Sequence, residues 1–274
     1  MSEELIMKNK VIDSIRMEAY ICFKNYILWL ILGVVLLLSI ISIYTSNNVI
    51  KGNEIEINGV AAEEIFTEVN PQKADEFYYW CEDIISGDFL IVFTIIFAAL
   101  IAGKDYSSGY IKTIINAKNR QYYFVSKLVI LILYITMMLI ATFLATVICN
   151  IFFLKTGSLG TFSSYIRMLI MQFILNVTVG ALVEMIVFIA KKQIVALIAP
   201  MVYYLFFSSM LYSIINKFIK TMEFDISKYT IFGAPKYLVG DLSNSILMRE
   251  AIVLIIYLII IIFISFEGIR RSEI

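Results

Sequence analysis

Six stretches of Ile, Leu, Val, Phe and Ala dominate this chain, at 26–44, 89–103, 128–154, 165–190, 194–215 and 251–266. A helix crossing a bilayer needs about 20 predominantly apolar residues at a rise of about 1.5 Å each. The first, third, fourth and fifth stretches meet that length outright. The second and sixth are short; the second suffices only if its helix begins near residue 84, which sets that span at 84–103, or if the bilayer thins around it. Hydrocarbon offers the backbone no hydrogen bonds, so segments of this length are satisfied as helices. Only 16% of residues are charged, against about 25% in an average soluble domain. The expected architecture is an all-α integral membrane protein with six transmembrane helices, the whole of 1–274 forming one transmembrane domain.

The connectors set the orientation. Lys8, Lys10, Arg16, Lys24, Lys104, Lys112, Lys118, Arg120, Lys127, Lys191, Lys192, Arg270 and Arg271 fall on one side, thirteen of the 22 Lys and Arg residues. By the positive-inside bias both termini, 1–25 and 267–274, are expected in the cytoplasm of a multi-pass cell-membrane protein. The polar segment 1–25 precedes the first apolar run and no small-x-small site follows it, so no cleaved signal peptide is expected. The external connector 45–88 carries ten acids against Lys51 and Lys73. It is either a solvated loop or an acidic mouth for cationic cargo. Its Tyr78-Tyr79-Trp80 run reads as an interface anchor.

Composition removes whole function classes. There is no histidine, which rules out His-based acid/base catalysis, haem ligation by His and the usual zinc sites. Cys22, Cys81 and Cys149 fall inside, outside and within the bilayer, so they build no intrachain disulfide framework, and Cys81 is expected as a free thiol rather than a bridge between copies. No basic tract with interleaved aromatics points to nucleic acid. The abundance of Ile, Lys and Asn is that of an AT-rich bacterial genome.

Two polar segments carry pattern. Along 1–25, Ile12, Ile15, Ala19, Cys22 and Tyr26 recur at steps of three and four with Lys10, Asp13 and Glu18 elsewhere, which predicts an amphipathic interfacial helix. Between the second and third spans, 104–127 is longer than two adjacent helices need. Ile111, Ile114 and Ile115 share one face with Tyr110 nearby, and Lys112, Asn116 and Asn119 lie elsewhere, which predicts a short amphipathic helix that touches something.

This second segment resembles the membrane subunit of type-2 ABC exporters, the ABC-2 permease family. The resemblance is carried by Ala98-Ala-Leu-Ile-Ala-Gly103 closing the second span, Asp105, Ser108-Gly-Tyr-Ile-Lys112, Arg120 and Ser126-Lys127, with the six-span layout in outline. It implies that Asp105, Ser108, Gly109, Tyr110, Ile111, Lys112, Ile115 and Arg120 belong to a coupling helix seated on an ATP-hydrolysing partner. It also implies an amino-terminal elbow helix, and re-entrant external helices within 216–250 between the fifth and sixth spans. The resemblance further implies two permease copies, as a homodimer or heterodimer. The chain itself has no P-loop: around Gly103-Lys104, Ala98 stands where the first glycine belongs and Asp105 where a hydroxyl belongs. It is therefore expected to be no enzyme and to hold no cofactor, with ATP and Mg on the partner subunit.

Inside the spans, polar residues normally face protein or water, because a charge at the bilayer centre costs about 2.5–3.5 kcal/mol. Gln172, Asn176, Gly180 and Glu184 recur at i+4 and form one stripe of the fourth span. That stripe is a wall of a translocation path, a dimer seam or a packing face. Thr94, Ala98 and Ala102 give a small edge on the second span, and Pro200 is expected to kink the fifth, where Tyr204, Ser208 and Tyr212 share its face. The reading favoured is a permease subunit exporting amphipathic or antimicrobial peptides. An ion-coupled secondary transporter lacks an internal repeat here, and a membrane sensor or assembly protein differs by having no ATPase partner.

Overall fold

The computed structural model describes residues 2–52, 85, 88–107, 120–149, 151–152, 162–218, 225–238 and 244–271. Regular structure in these segments is helical: α1 Ser2–Lys24, α2 Tyr26–Gly52, α3 Asp88–Ser107, α4 Arg120–Cys149, α5 Phe162–Ala190, α6 Gln193–Val202, a π turn Tyr203–Phe207, α7 Ser208–Phe218, 3₁₀ turns Ile226–Tyr229 and Ala234–Tyr237, and α8 Asn244–Arg271. Five stretches are long and apolar enough to cross a membrane: Phe89–Tyr106, Tyr123–Cys149, Tyr165–Ala190, Gln193–Lys217 and Ser245–Gly268. A sixth is made if Ile12–Lys24 and Tyr26–Ser42 are taken together across a 64° bend. The expected all-α membrane architecture therefore holds, with five helices of spanning length where six were expected, or six if the bent pair counts as one. The acidic connector (53–84 and 86–87) and the loop 108–119, with Ser108, Gly109, Tyr110, Ile111, Lys112 and Ile115, lie outside the described residues.

Several helices run on past the apolar stretches read in the sequence, through charged residues. The described helix α3 starts at Asp88 and continues through Lys104 and Asp105 to Ser107, while Ile85 is also helical and 86–87 lie outside the described residues. Ahead of the apolar run at 128, α4 begins at Arg120 and takes Lys127 inside. The sixth reaches full length because α8 carries Arg249 and Glu250 within it, where the Arg249 Nη2 to Glu250 Oε1 distance is 2.7 Å. Charges end an apolar run in a sequence, but a paired charge does not end a helix.

The α1–α2 bend is built locally. Asn25 interrupts the helix and caps α2, its Oδ1 accepting from the Ile27 amide at 3.2 Å, and the Trp29 indole donates back across the corner to the Phe23 carbonyl at 2.8 Å. The α5–α6 reversal needs only two residues. Lys191 adopts a left-handed conformation with φ of 54° and ends α5, while extended Lys192 precedes α6. Beyond Pro200 the helix does not break; a five-residue π turn absorbs the distortion before α7.

The central element is α5, which packs against α3, α4, α6 and α8. Lipid tails are as apolar as Leu, so helices in a bilayer associate through close packing and internal hydrogen bonds rather than hydrophobic burial. The chain follows that rule. Thr94, Ala98 and Ala102 are fully buried on α3. Hydroxyls of Ser39, Thr136, Thr142, Thr146, Thr178, Ser208 and Ser265 donate to the carbonyl four residues earlier, at 2.7–2.8 Å. Such back-bonding hides a polar group in its own helix.

Gly103 marks the tightest crossing: a Cβ built there would lie 3.0 Å from the Gln193 Cα at the start of α6, whereas one on Gly33 would meet nothing within 4 Å. Gly103→Ala is expected to cost about 1–3 kcal/mol by forcing α3 and α6 apart. Gly33→Ala, in an uncrowded helix, is expected to gain up to about 1 kcal/mol. Thermal unfolding of the two variants in one detergent checks both signs.

Candidate functional site

At one end of the bundle three helices meet on a single ammonium. Lys127 lies in the second turn of α4, and its Nζ is 2.7 Å from Glu18 Oε2 of α1 and 2.7 Å from Asp105 Oδ2 of α3. The side chains are 4%, 6% and 13% exposed. Tyr123, one turn before Lys127 on the same face, donates its hydroxyl to the same Asp105 oxygen at 2.7 Å, and the ammonium sits 5.1 Å from the centre of its ring. Charge-assisted bonds of this length, shielded from water, are the strong ones. A cavity of about 30 Å³ beside the cluster, lined in part by Glu18, Asn25, Lys104, Asp105 and Lys127, has room for about one or two waters.

The cluster is assembled against local preference. Asp105 stands in the last turn of α3 and Lys127 near the start of α4, each at the helix end whose dipole disfavours its charge. Together they offset one another, and each supplies what the other's helix end lacks. Burial raises the Glu18 carboxyl of α1 above its ordinary range, against the pull of Lys127 and, more weakly, of Lys104, which lines the same cavity.

Of the residues singled out in the sequence for coupling, Asp105 is in this cluster. Arg120 opens α4. Glu18, read as lying away from the apolar face of α1, is instead inside it: Glu18 and Cys22 are buried while Ile12 and Tyr26 are exposed. Three- and four-residue periodicity identified the face correctly through Ile15, Ala19 and Cys22. It assigned Glu18 elsewhere on charge alone. The signal that would have found the cluster is the pair of charges at the wrong ends of consecutive helices.

The α5 stripe also has a definite position. Gln172, Asn176 and Glu184 are at most 2% exposed within the single chain. Asn176 accepts from Thr94 of α3 at 2.8 Å and donates to the Gln172 carbonyl at 2.8 Å, and a Cβ on Gly180 would lie 2.7 Å from Leu131 Cδ1 of α4. The stripe therefore packs α5 against α3 and α4. Polar atoms without a hydrogen-bond partner among the described residues occur at two places on the stripe, the Gln172 side-chain nitrogen and both oxygens of the buried Glu184.

At the other end of the bundle, α7 and the 225–238 segment border a recess of about 570 Å³ lined by Ser208, Ser209, Tyr212, Ser213, Asn216 and Phe232, among others. Asn216 donates to Asp225 at 2.7 Å and accepts from the Ile226 amide at 3.1 Å, while Thr230 donates to Tyr212 at 2.8 Å. Pro200, Tyr204 and Ser208 of the expected fifth-span face are buried. Among the described residues no group of three or more His, Cys, Asp or Glu side chains is placed to hold a metal ion.

These features define a helical, multi-pass membrane protein whose one end is clasped by a buried ion cluster. The chain belongs to the DUF2705 family, described as proteins of unknown function, whose model matches residues 67–274. No curated protein matches the chain.

Removing one partner of a buried ion pair strands the other and costs about 3–5 kcal/mol, whereas replacing the whole set with apolar or neutral groups is often nearly neutral. Lys127→Met is therefore expected to destabilise the chain by about that amount. The triple variant Glu18→Gln, Asp105→Asn, Lys127→Met is expected to recover most of it. Reversible unfolding in mixed micelles reads both.

Proposed function

We propose that this chain is the membrane-spanning permease subunit of an ATP-driven exporter of the ABC-2 kind. It works with a second permease copy and a separate ATPase subunit, and it exports amphipathic or antimicrobial peptides. In this reading it lies in the cell membrane with both termini in the cytoplasm, α1 rests along the inner surface, and 225–238 belongs to re-entrant external structure. It performs no covalent chemistry. ATP and Mg reside on the partner.

One observation carries the reading: the buried contact of Asp105 with Lys127. It joins the two ends of the connector in which the ABC-2 resemblance lies, and Glu18 ties α1 to the same point. A loop that passes force from a soluble motor to spans needs a stiff base, since slack there would dissipate the movement. A solvated loop has no need of a dry ion cluster at its root. The hydroxyl- and amide-lined recess at the far end is of the size of small-ligand sites, about 300–1,000 Å³, and suits the polar groups of a peptide.

The test is to solubilise the tagged chain gently from its native host and identify what remains bound by mass spectrometry. A P-loop ATPase is expected with the intact chain and is expected to be lost from Lys112→Glu/Arg120→Glu at unchanged expression. Recovery of no ATPase, under conditions that preserve a control complex, overturns the exporter reading in favour of a sensor or assembly protein.

A further inference from the structure

Glu184 is a buried acid neither of whose oxygens meets a hydrogen-bond partner among the described residues. Buried polar groups nearly always have a hydrogen-bond partner, and a carboxyl group with none is costly to keep. Its neighbours Asn176 and Gly180 on the same stripe serve packing directly. Glu184 sits instead on α5, which packs on α4, within electrostatic reach of Lys127 and Glu18. Gly180 of α5 packs on Leu131 of α4, and Glu184 and Lys127 each lie one turn beyond that contact toward the same end of the bundle. The acids Glu18 of α1, Asp105 of α3 and Glu184 of α5 therefore converge on the Lys127 end of α4, where Lys104 also lines the small cavity.

We infer that Lys127 is a two-position switch, with Glu184 as its second acceptor: α1 docks when Lys127 holds Glu18 and is released when Lys127 turns to Glu184. The two states are closely matched. With α1 docked, Lys127 is paired with Glu18 and Asp105 while Glu184 is unpartnered. With α1 released, Lys127 keeps Asp105 and gains Glu184, and Glu18 leaves the apolar interior for water or headgroups. The number of buried ion contacts is the same in both. What favours docking is the buried face of α1 around Cys22, and what opposes it is the stranded Glu184. Two packings that differ by a few kcal/mol are the requirement for a switch that an outside contact can throw. The inference stands without the transport reading, because it concerns only the docking of α1.

Cys22 is a native reporter of that docking. It lies on the buried face of α1, and burial pushes its thiol up to about 11, so it reacts slowly while α1 is docked. The experiment uses the full chain in membranes with Cys81→Ser and Cys149→Ser, labelled by a membrane-permeant maleimide. A companion chain retaining only Cys149 reports general loosening. Glu184→Gln keeps the shape of the side chain but cannot give up a proton to become a competing acceptor for Lys127. It is expected to slow Cys22 labelling about three- to tenfold and leave Cys149 labelling unchanged, whereas Glu184→Asp retains near-parental labelling. Glu18→Gln is expected to speed Cys22 labelling, and Glu184→Gln is expected to cancel most of that gain in the double variant, since the two residues compete for one ammonium. Equal or faster Cys22 labelling in Glu184→Gln overturns the switch. So does simple additivity of the Glu18 and Glu184 effects, which would make Glu184 a packing residue only.

Discussion

A lysine ammonium in an apolar interior is the constraint on which this structure turns. Taking such an ion out of water costs several kcal/mol even after relaxation, and the cost is offset only by close, well-oriented acceptors. Lys127 has two at 2.7 Å, from two different helices. Because both acceptors are needed, the ends of α3 and α4 are fixed relative to one another, and α1 is drawn onto them. Lys104, Asp105 and Lys127 then fall inside helices rather than beyond them. The position of the polar α1 helix is thus a consequence of one buried charge.

The remainder of the bundle is held by weaker, more numerous devices suited to a medium without a hydrophobic driving force. Small residues on α3 let it approach α5 and α6 closely, with Gly103 at the closest point. Thr94 and Asn176 supply one cross-helix hydrogen bond, worth about 0.6 to 2 kcal/mol in such settings. The hydroxyls that bond back to their own helices let Ser and Thr fill space without leaving an orphaned donor, and one of them, Thr178, also reaches the Leu254 carbonyl of α8 at 3.5 Å. Specific cross-helix chemistry is therefore concentrated in few places, and the Lys127 cluster is the densest of those described.

The membrane class, the number of apolar helices and their approximate limits were legible in the sequence because each rests on a one-dimensional property, the length of an apolar run. The run 165–190 coincides with its stretch in α5, Tyr165–Ala190. Helices α3, α4 and α8 run past the ends of their apolar stretches because Asp105, Lys127 and Glu250 are neutralised by partners: for Asp105 and Lys127 these lie on other helices, and for Glu250 the partner is the adjacent Arg249. Asp105 was singled out through resemblance, and the Gln172 to Glu184 stripe through i+4 spacing. Glu18 was set aside as a surface charge. No periodicity tells a buried charge from a solvated one, because what decides it is the ammonium more than a hundred positions away.

The geometry around Asn25 gives the clasp its mechanical meaning. α1 and α2 meet at 64°, and the corner is stiffened by the Asn25 cap and the Trp29 to Phe23 bond rather than left to a flexible linker. A helix held by a charge at Glu18 and by a braced corner at Asn25 moves as a lever, so its docking is coupled to the tilt of α2. In the transport reading, movement entering through the connector between α3 and α4 meets Asp105 and Lys127 at its root. From there it has two outlets, into α3 and α4 directly and through Glu18 into α1 and α2. A single ammonium shared by both outlets makes their responses concerted, which three independent surface pairs, each worth about 1 kcal/mol or less, would not do.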